Sequence, residues 1–201
     1  MTRWQWRCPP RCWGGDLNVL DERGLDDFFA EHFHRTAFRL EVRDHYAVAS
    51  DGGDFARYLA GEDLPDAARK NAWLDELRAD SAAGKRWQWV HVVRGPLSDY
   101  LRYAFEWGYA INIHAGAEVR ILDLAERPRP AGIPDEDFWL LDDHAVLPMD
   151  YDDDGRFIGT EPTASDEVPR YRHARDAAWE AAEPFADYWA RHPGYHRARV
   201  A

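Results

Sequence analysis

The sequence predicts an α/β (or α+β) domain, a mixed β-sheet with flanking helices and a C-terminal helical segment. Three observations predict it. From Trp87 to Leu122 the pattern runs strand, Pro-Leu-Ser-Asp, helix, Ala-Gly, strand, which is a right-handed βαβ crossover between parallel strands. From Phe38 to Arg43 apolar and charged residues alternate with period two, as in a strand. From Phe138 to Thr160 three short apolar runs are separated by Asp142-Asp143 and by Asp152-Asp153-Asp154-Gly155, both turn-forming. A chain of 201 residues fits one domain, drawn here at 21–195 after a flexible leader at 1–20.

The leader alternates Trp4, Trp6 and Trp13 with Arg3, Arg7 and Arg11 and ends in Gly14-Gly15. It reads as an unstructured tail. The alternative is a surface-seeking Arg/Trp segment for membrane or nucleic acid. Leu25, Phe28, Phe29 and Phe33 then fall at helical spacing and form one apolar stripe. In the following strand Phe38, Leu40 and Val42 face the core, and Arg39, Glu41 and Arg43 are expected on an open face. After Asp51-Gly52-Gly53-Asp54 a short helix is expected with Phe55, Tyr58 and Leu59 inward. Trp73, Leu74 and Leu77 anchor another helix that ends near Gly84.

Trp87 to Val93 is apolar on both faces, as a central strand covered on each side would be. Ser98 is the expected N-cap of the crossover helix, with Asp99 in its first turn and Leu101, Ala104 and Phe105 buried. Val119–Leu122 is the next strand. Phe138–Leu141, Ala145–Tyr151 and Phe157–Thr160 follow as a meander. Tyr171, Ala174, Ala178, Trp179, Phe185 and Trp189 recur at helical spacing, and Pro184 must kink or divide that helix.

Composition narrows the function. With 25 basic against 37 acidic residues the net charge is −12, which repels phosphate backbones and argues against direct nucleic-acid binding by the acidic core. The sequence has neither an apolar run long enough to span a membrane nor an apolar leader, so a cytoplasmic location is expected. Two cysteines, Cys8 and Cys12, cannot complete a four-ligand zinc site.

Motifs for catalysis are lacking. The chain has no P-loop, G-x-G-x-x-G, G-x-S-x-G or H-E-x-x-H. His91, in a strand among tryptophans, reads as a satisfied core imidazole, and Trp139 as a core ring. Asp150, Asp152, Asp154, Gly155 and Glu161 reproduce the D-x-D-x-D-G-x5-E calcium loop. Strand-like flanks favour an ordinary hairpin turn, with Ca2+ as the alternative. The expected ligand site gathers Arg43, Asp99, Tyr100, Arg102, Glu118 and Arg120 near the strand ends and the crossover helix. Ligands of open α/β sheets bind beyond the carboxyl ends of strands. Solvated surface charge is the competing reading of the same residues.

The phrases at 36–48, 96–122, 137–143, 149–161 and 175–189 together resemble an actinobacterial family of unknown function. Members of that family are often encoded beside helix-turn-helix regulators. The resemblance spans about residues 25–190 and implies a small regulatory or accessory protein. It transfers no catalytic residue. The order of elements from Trp87 to Glu161 is also similar to half of a phospholipase-D-like sheet, whose motif is H-x-K-x4-D. Counting back from Asp142 places Asp135 and Asp137 at the His and Lys positions, and counting back from Asp143 places Glu136 and Phe138 there. Neither register supplies the nucleophile. The expectation is a non-enzymatic, ligand-sensing accessory protein acting with a helix-turn-helix partner. An enzyme acting on a phosphate ester or nucleotide is the second reading, and a calcium-responsive module the third.

Overall fold

The computed structural model describes residues 19–48 and 51–197. Helix α1 (Glu22–His32) begins at Asp21, whose carboxylate accepts the Gly24 amide. Strand β1 (Thr36–Glu41) follows, then α2 (Asp54–Leu59), α3 (Ala67–Ala82) and β2 (Arg86–Val93). Ser98 caps α4 (Asp99–Tyr103) by accepting the Leu101 amide, as its sequence position predicts. That helix widens into a π turn at Ala104–Tyr109 and tightens through α5 (Ala110–Asn112) and a 3-10 turn, Ile113–Ala115. Gly116, at φ 106°, ends it in the left-handed region that favours glycine. Strands β3 (Glu118–Asp123), β4 (Asp137–Leu141), β5 (Ala145–Tyr151) and β6 (Phe157–Gly159) come next. The chain then forms α6 (Val168–Ala181), β7 (Glu183–Pro184) and α7 (Phe185–Arg191).

The seven strands form one mixed sheet in the order β6-β5-β4-β1-β2-β3-β7. Strands β1, β2 and β3 are parallel, with Arg39 opposite Trp89 and His91 opposite Ile121. The predicted crossover from β2 to β3 is therefore present. On one face α6 buries Tyr171, Ala174 and Ala178 against Phe38, Leu40, Val90 and Phe138. On the other, α1, α3, α4, the π turn and α7 cover Trp87, Trp89, Val93, Ile121 and Leu141. Trp87 and Trp89, two residues apart on one face of β2, stack at 5.7 Å, and Trp139 meets both edge-on. Trp139 is thus a partly buried ring packed against the core. Rings of this size bury 150–250 Å² each, which compensates for few Leu and Ile.

Three sequence expectations need correction. The face of β1 carrying Arg39 and Glu41 is not open: Arg39 is 3% exposed, because helices cover both sides of this central strand. Leu59 points outward at 55% exposure, and the buried residues of α2 are Asp54 and Tyr58. Leu20, assigned to the leader, bridges Thr160, so ordered pairing starts before residue 21. Pro184 divides the C-terminal helices as expected, inside a two-residue strand that pairs with β3. The Arg/Trp segment and both cysteines lie outside the described residues.

Candidate functional site

The carboxyl ends of β1 and β2 gather a buried polar layer. Antiparallel pairing of β4 with β1 sets Phe138 opposite Leu40 and so brings Asp137 alongside the end of β1. Arg39 Nη2 donates to Asp137 Oδ2 at 2.9 Å and to Tyr151 Oη at 2.6 Å. Tyr46 Oη donates to the same Asp137 oxygen at 2.6 Å, and the Val42 amide donates to Asp137 Oδ1 at 2.8 Å. Arg39 Nε lies 3.6 Å from Glu41 Oε1, and the Tyr109 hydroxyl makes a short hydrogen bond to Glu41 Oε2. His91 uses both ring nitrogens: Nδ1 is 2.7 Å from Tyr109 Oη and Nε2 is 2.9 Å from the Arg43 carbonyl. The core reading of His91 is therefore the structural fact.

The electrostatics follow from this packing. Burial alone would lower the Arg39 value, but Tyr151, Asp137 and Glu41 overcome it and hold the guanidinium charged. Burial pushes Tyr46 and Tyr109 well above the usual phenol value, and the Glu41 carboxylate adds to it. Burial raises Tyr151 to about 12, with Arg39 opposing. All these phenols stay protonated at neutral pH; Tyr46 and Tyr109 donate to Asp137 and Glu41, while Tyr151 accepts from Arg39.

Above this layer opens a cleft of about 300 Å³ lined by Arg43, Asp44, His45, Asp153 and Gly155. The β5–β6 hairpin closes one side. Its Gly155, at φ 79°, sits where a Cβ would come within 2.9 Å of the His45 carbonyl, so no side chain fits there without displacing backbone. Arg43 Nη2 donates to the Asp152 carbonyl at 3.1 Å, and its guanidinium lies over the Tyr151 ring. Arg43 Nε is buried without a partner. Ser98 Oγ donates to the Asp44 carbonyl, tying the start of α4 to this mouth. The Tyr100 ring packs on His45 at 4.7 Å and near Tyr46.

The six residues expected at one site are divided. Arg43 lines the mouth, Tyr100 packs on His45 of the same lining, and Asp99 is exposed in the first turn of α4 beside Ser98. Arg102 faces away and lies over Tyr195. Glu118 opens β3, and because β3 runs parallel to β2 it enters at the opposite end of the sheet. There it pairs with Arg86 at 2.7 Å. Arg120 is on the other face, donating to the Trp179 and Ala182 carbonyls. The residues that sequence reasoning missed are Asp137, Tyr46, Tyr109 and Tyr151. Their partners are remote in the chain, so no local spacing could have marked them.

The calcium-like segment folds as the hairpin its flanks suggest. Asp152 Oδ1 accepts the Arg156 amide within the turn, while Asp150 and Glu161 line a separate shallow cleft with Val19 and Pro148. Among the described residues, no group of three or more His, Cys, Asp or Glu is placed to hold a metal ion. None of the described helices is long and apolar enough to cross a membrane.

No curated protein matches the chain. Residues 23–190, which hold the whole polar layer and its mouth, match the family described as Domain of unknown function (DUF6879), and the chain belongs to that family.

Proposed function

We propose that this protein is a non-enzymatic regulatory or ligand-sensing module of the cytoplasm that works with a helix-turn-helix DNA-binding partner. One observation carries the sensing part of the reading. The mouth at the ends of β1 and β2 stands on a polar layer whose acids and bases are already bonded to one another. Such a site can grip a small molecule, but its carboxylates and imidazole are committed internally. The regulatory partner rests on the family resemblance set out above. A chain of net charge −12 suits work through a partner protein better than direct contact with DNA.

The test has two arms. Thermal melting of the full chain against a panel of nucleotides, amino acids and inorganic phosphate is expected to find a stabilising ligand whose effect is lost in Arg43→Ala. Co-purification is expected to recover a helix-turn-helix protein. A panel without any shift, together with no association across salt conditions, overturns the proposal. A second reading is an enzyme acting on a phosphate ester or nucleotide at the same mouth. It is favoured by Arg43 Nε, a donor left without a partner in a residue that lines the cleft. Turnover of any panel member, abolished by Arg43→Ala, would establish it in place of the first.

A further inference from the structure

After α7 the chain returns to α2 and the π turn, and one arginine fastens it there. Arg197 Nη1 donates to the Tyr58 carbonyl at 3.1 Å and to the Glu62 carbonyl at 2.7 Å. Its guanidinium lies over the Tyr58 ring at 4.1 Å and the Trp107 ring at 5.3 Å. Its Nε is 3.4 Å from Glu106 Oε2, the same oxygen that accepts the Tyr58 hydroxyl at 3.0 Å. Tyr58 and Trp107 are 4% and 3% exposed and meet edge-on. The walls of this seat therefore belong to the core and not to the tail. Two rings, a carboxylate and two carbonyls suit a planar guanidinium, with its fork of donors, better than the point charge of an ammonium.

The tail fills the seat imperfectly. Among the described residues, four buried side-chain nitrogens lack a hydrogen-bond partner, and two of them belong to residues that the tail touches. These are Arg102 Nε, in a side chain that lies over Tyr195, and Trp107 Nε1, in the ring under Arg197. A buried donor without an acceptor is costly, and an extended segment that brings its own carbonyls can supply what the tail does not. Pro193, Gly194 and His196 are exposed. Next to the seat in the chain, Leu59 follows Tyr58 and Leu64 follows Glu62 by two positions, and they are 55% and 72% exposed. Asp63, between them, is exposed too. Aromatic rings that take an arginine, with apolar side chains and carboxylates around them, are the make-up of a protein-binding surface.

We propose that this seat is a docking site for an arginine-bearing segment of a partner protein, and that Arg197 occupies it in cis until the partner arrives. Leu59 and Leu64 receive the apolar neighbours of the incoming arginine. The net charge of −12 draws a basic segment to this surface. The tethered Arg197 competes with it at a high effective concentration, so the tail sets the threshold for docking. This inference depends neither on the ligand site at the mouth nor on what kind of protein the partner is.

The test follows the Trp107 indole by NMR in the full chain. The probe is the tripeptide Leu-Arg-Leu, acetylated and amidated, with Leu-Lys-Leu as its counterpart. In Arg197→Ala the arginine peptide is expected to shift Trp107 to saturation and to bind about tenfold more tightly than to the unsubstituted chain, because the tethered competitor is gone. The lysine peptide should bind more weakly, and adding Leu64→Ser should weaken the arginine peptide. An unmoved Trp107 in Arg197→Ala overturns the proposal. So does equal binding of the two peptides, an affinity that is the same with and without Arg197, or no effect of Leu64→Ser. A dimer of the unsubstituted chain in sedimentation that Arg197→Ala abolishes would assign the seat to the tail of a second copy and overturn it as well. Arg197→Gln replaces Arg197→Ala if that variant does not fold. If neither folds, the unsubstituted chain decides: a shift of Trp107 selective for the arginine peptide supports the proposal, and its absence overturns it.

Discussion

Asp137 accepts three hydrogen bonds with two oxygens, from Arg39, Tyr46 and the Val42 amide. Removing it strands the Arg39 guanidinium in a site that is almost closed to water. Asp137→Ala is therefore expected to cost about 3–5 kcal/mol, read as a drop in the urea midpoint. Replacing both ends of the pair, with Arg39→Met and Asp137→Leu together, should cost less than the single change, because no buried guanidinium is then left without its carboxylate. A double variant that is no more stable than Asp137→Ala would show that the pair is not what Asp137 supports. At this scale the sequence was only partly legible. The alternation Arg39, Glu41, Arg43 is plain, but it reads as an open strand face because charge usually means solvent. The carboxylate that allows Arg39 inside is 98 positions away, beyond the reach of any local pattern.

Among the elements, the turn joining β4 to β5 does more than reverse the chain. Asp142 and Asp143 both adopt positive φ, at 46° and 62°, and the Asp142 carboxylate accepts the amides of His34, Arg35 and Thr36 at the start of β1. Partial burial pushes the Asp142 value up, but those three amides outweigh it and hold it below the usual carboxylate range. Its stabilising effect is thus complete above the ordinary aspartate value and is lost as pH falls through the lower folded value. Asp142→Asn keeps a residue tolerant of that backbone and removes the charge. Its stability should fall less steeply in acid than that of the unsubstituted chain, as measured by denaturation at a series of pH values. Ser98→Ala should cost about 1 kcal/mol from the lost cap of α4. It should also weaken ligand binding at the mouth, because Ser98 Oγ holds the Asp44 carbonyl. Calcium titration is expected to give no heat, since the Asp152 carboxylate is engaged by the Arg156 amide within a hairpin. The elements themselves were legible because periodicity is a local property: β1 to β6, the cap at Ser98 and the break at Pro184 all stand where the pattern puts them. Strand β7 was not, because two residues carry no period, and only the edge of β3 makes them a strand.

Over the whole molecule, parallel strands decide which residues can share a site. Glu118 opens β3 and Arg43 follows β1, so the sheet separates them by its full length. A sequence reading that gathers polar residues near strand ends must therefore also ask which end. The same topology leaves the far edge of β3 open until the C-terminal segment covers it. There β7 pairs with Arg120 and Ile121, Phe185 and Tyr188 enter the core, and the Tyr188 hydroxyl donates to the buried Asp123 at 2.9 Å. The Arg191 guanidinium then clamps Glu126 and Glu183, and holds Glu126 down at about 2. A chain cut after Ala182 would expose the edge of β3 and the rings of Phe105 and Tyr109, which Phe185 covers. Tyr109 also joins Glu41 and His91 in the polar layer. The shortened protein is expected to lose its single cooperative transition in urea, and Tyr188→Phe, a milder change, to cost about 1–3 kcal/mol by leaving Asp123 Oδ2 without its donor. If the cut chain still unfolds in one step at the original midpoint, the C-terminal segment is an attachment to the sheet and not a part of its core.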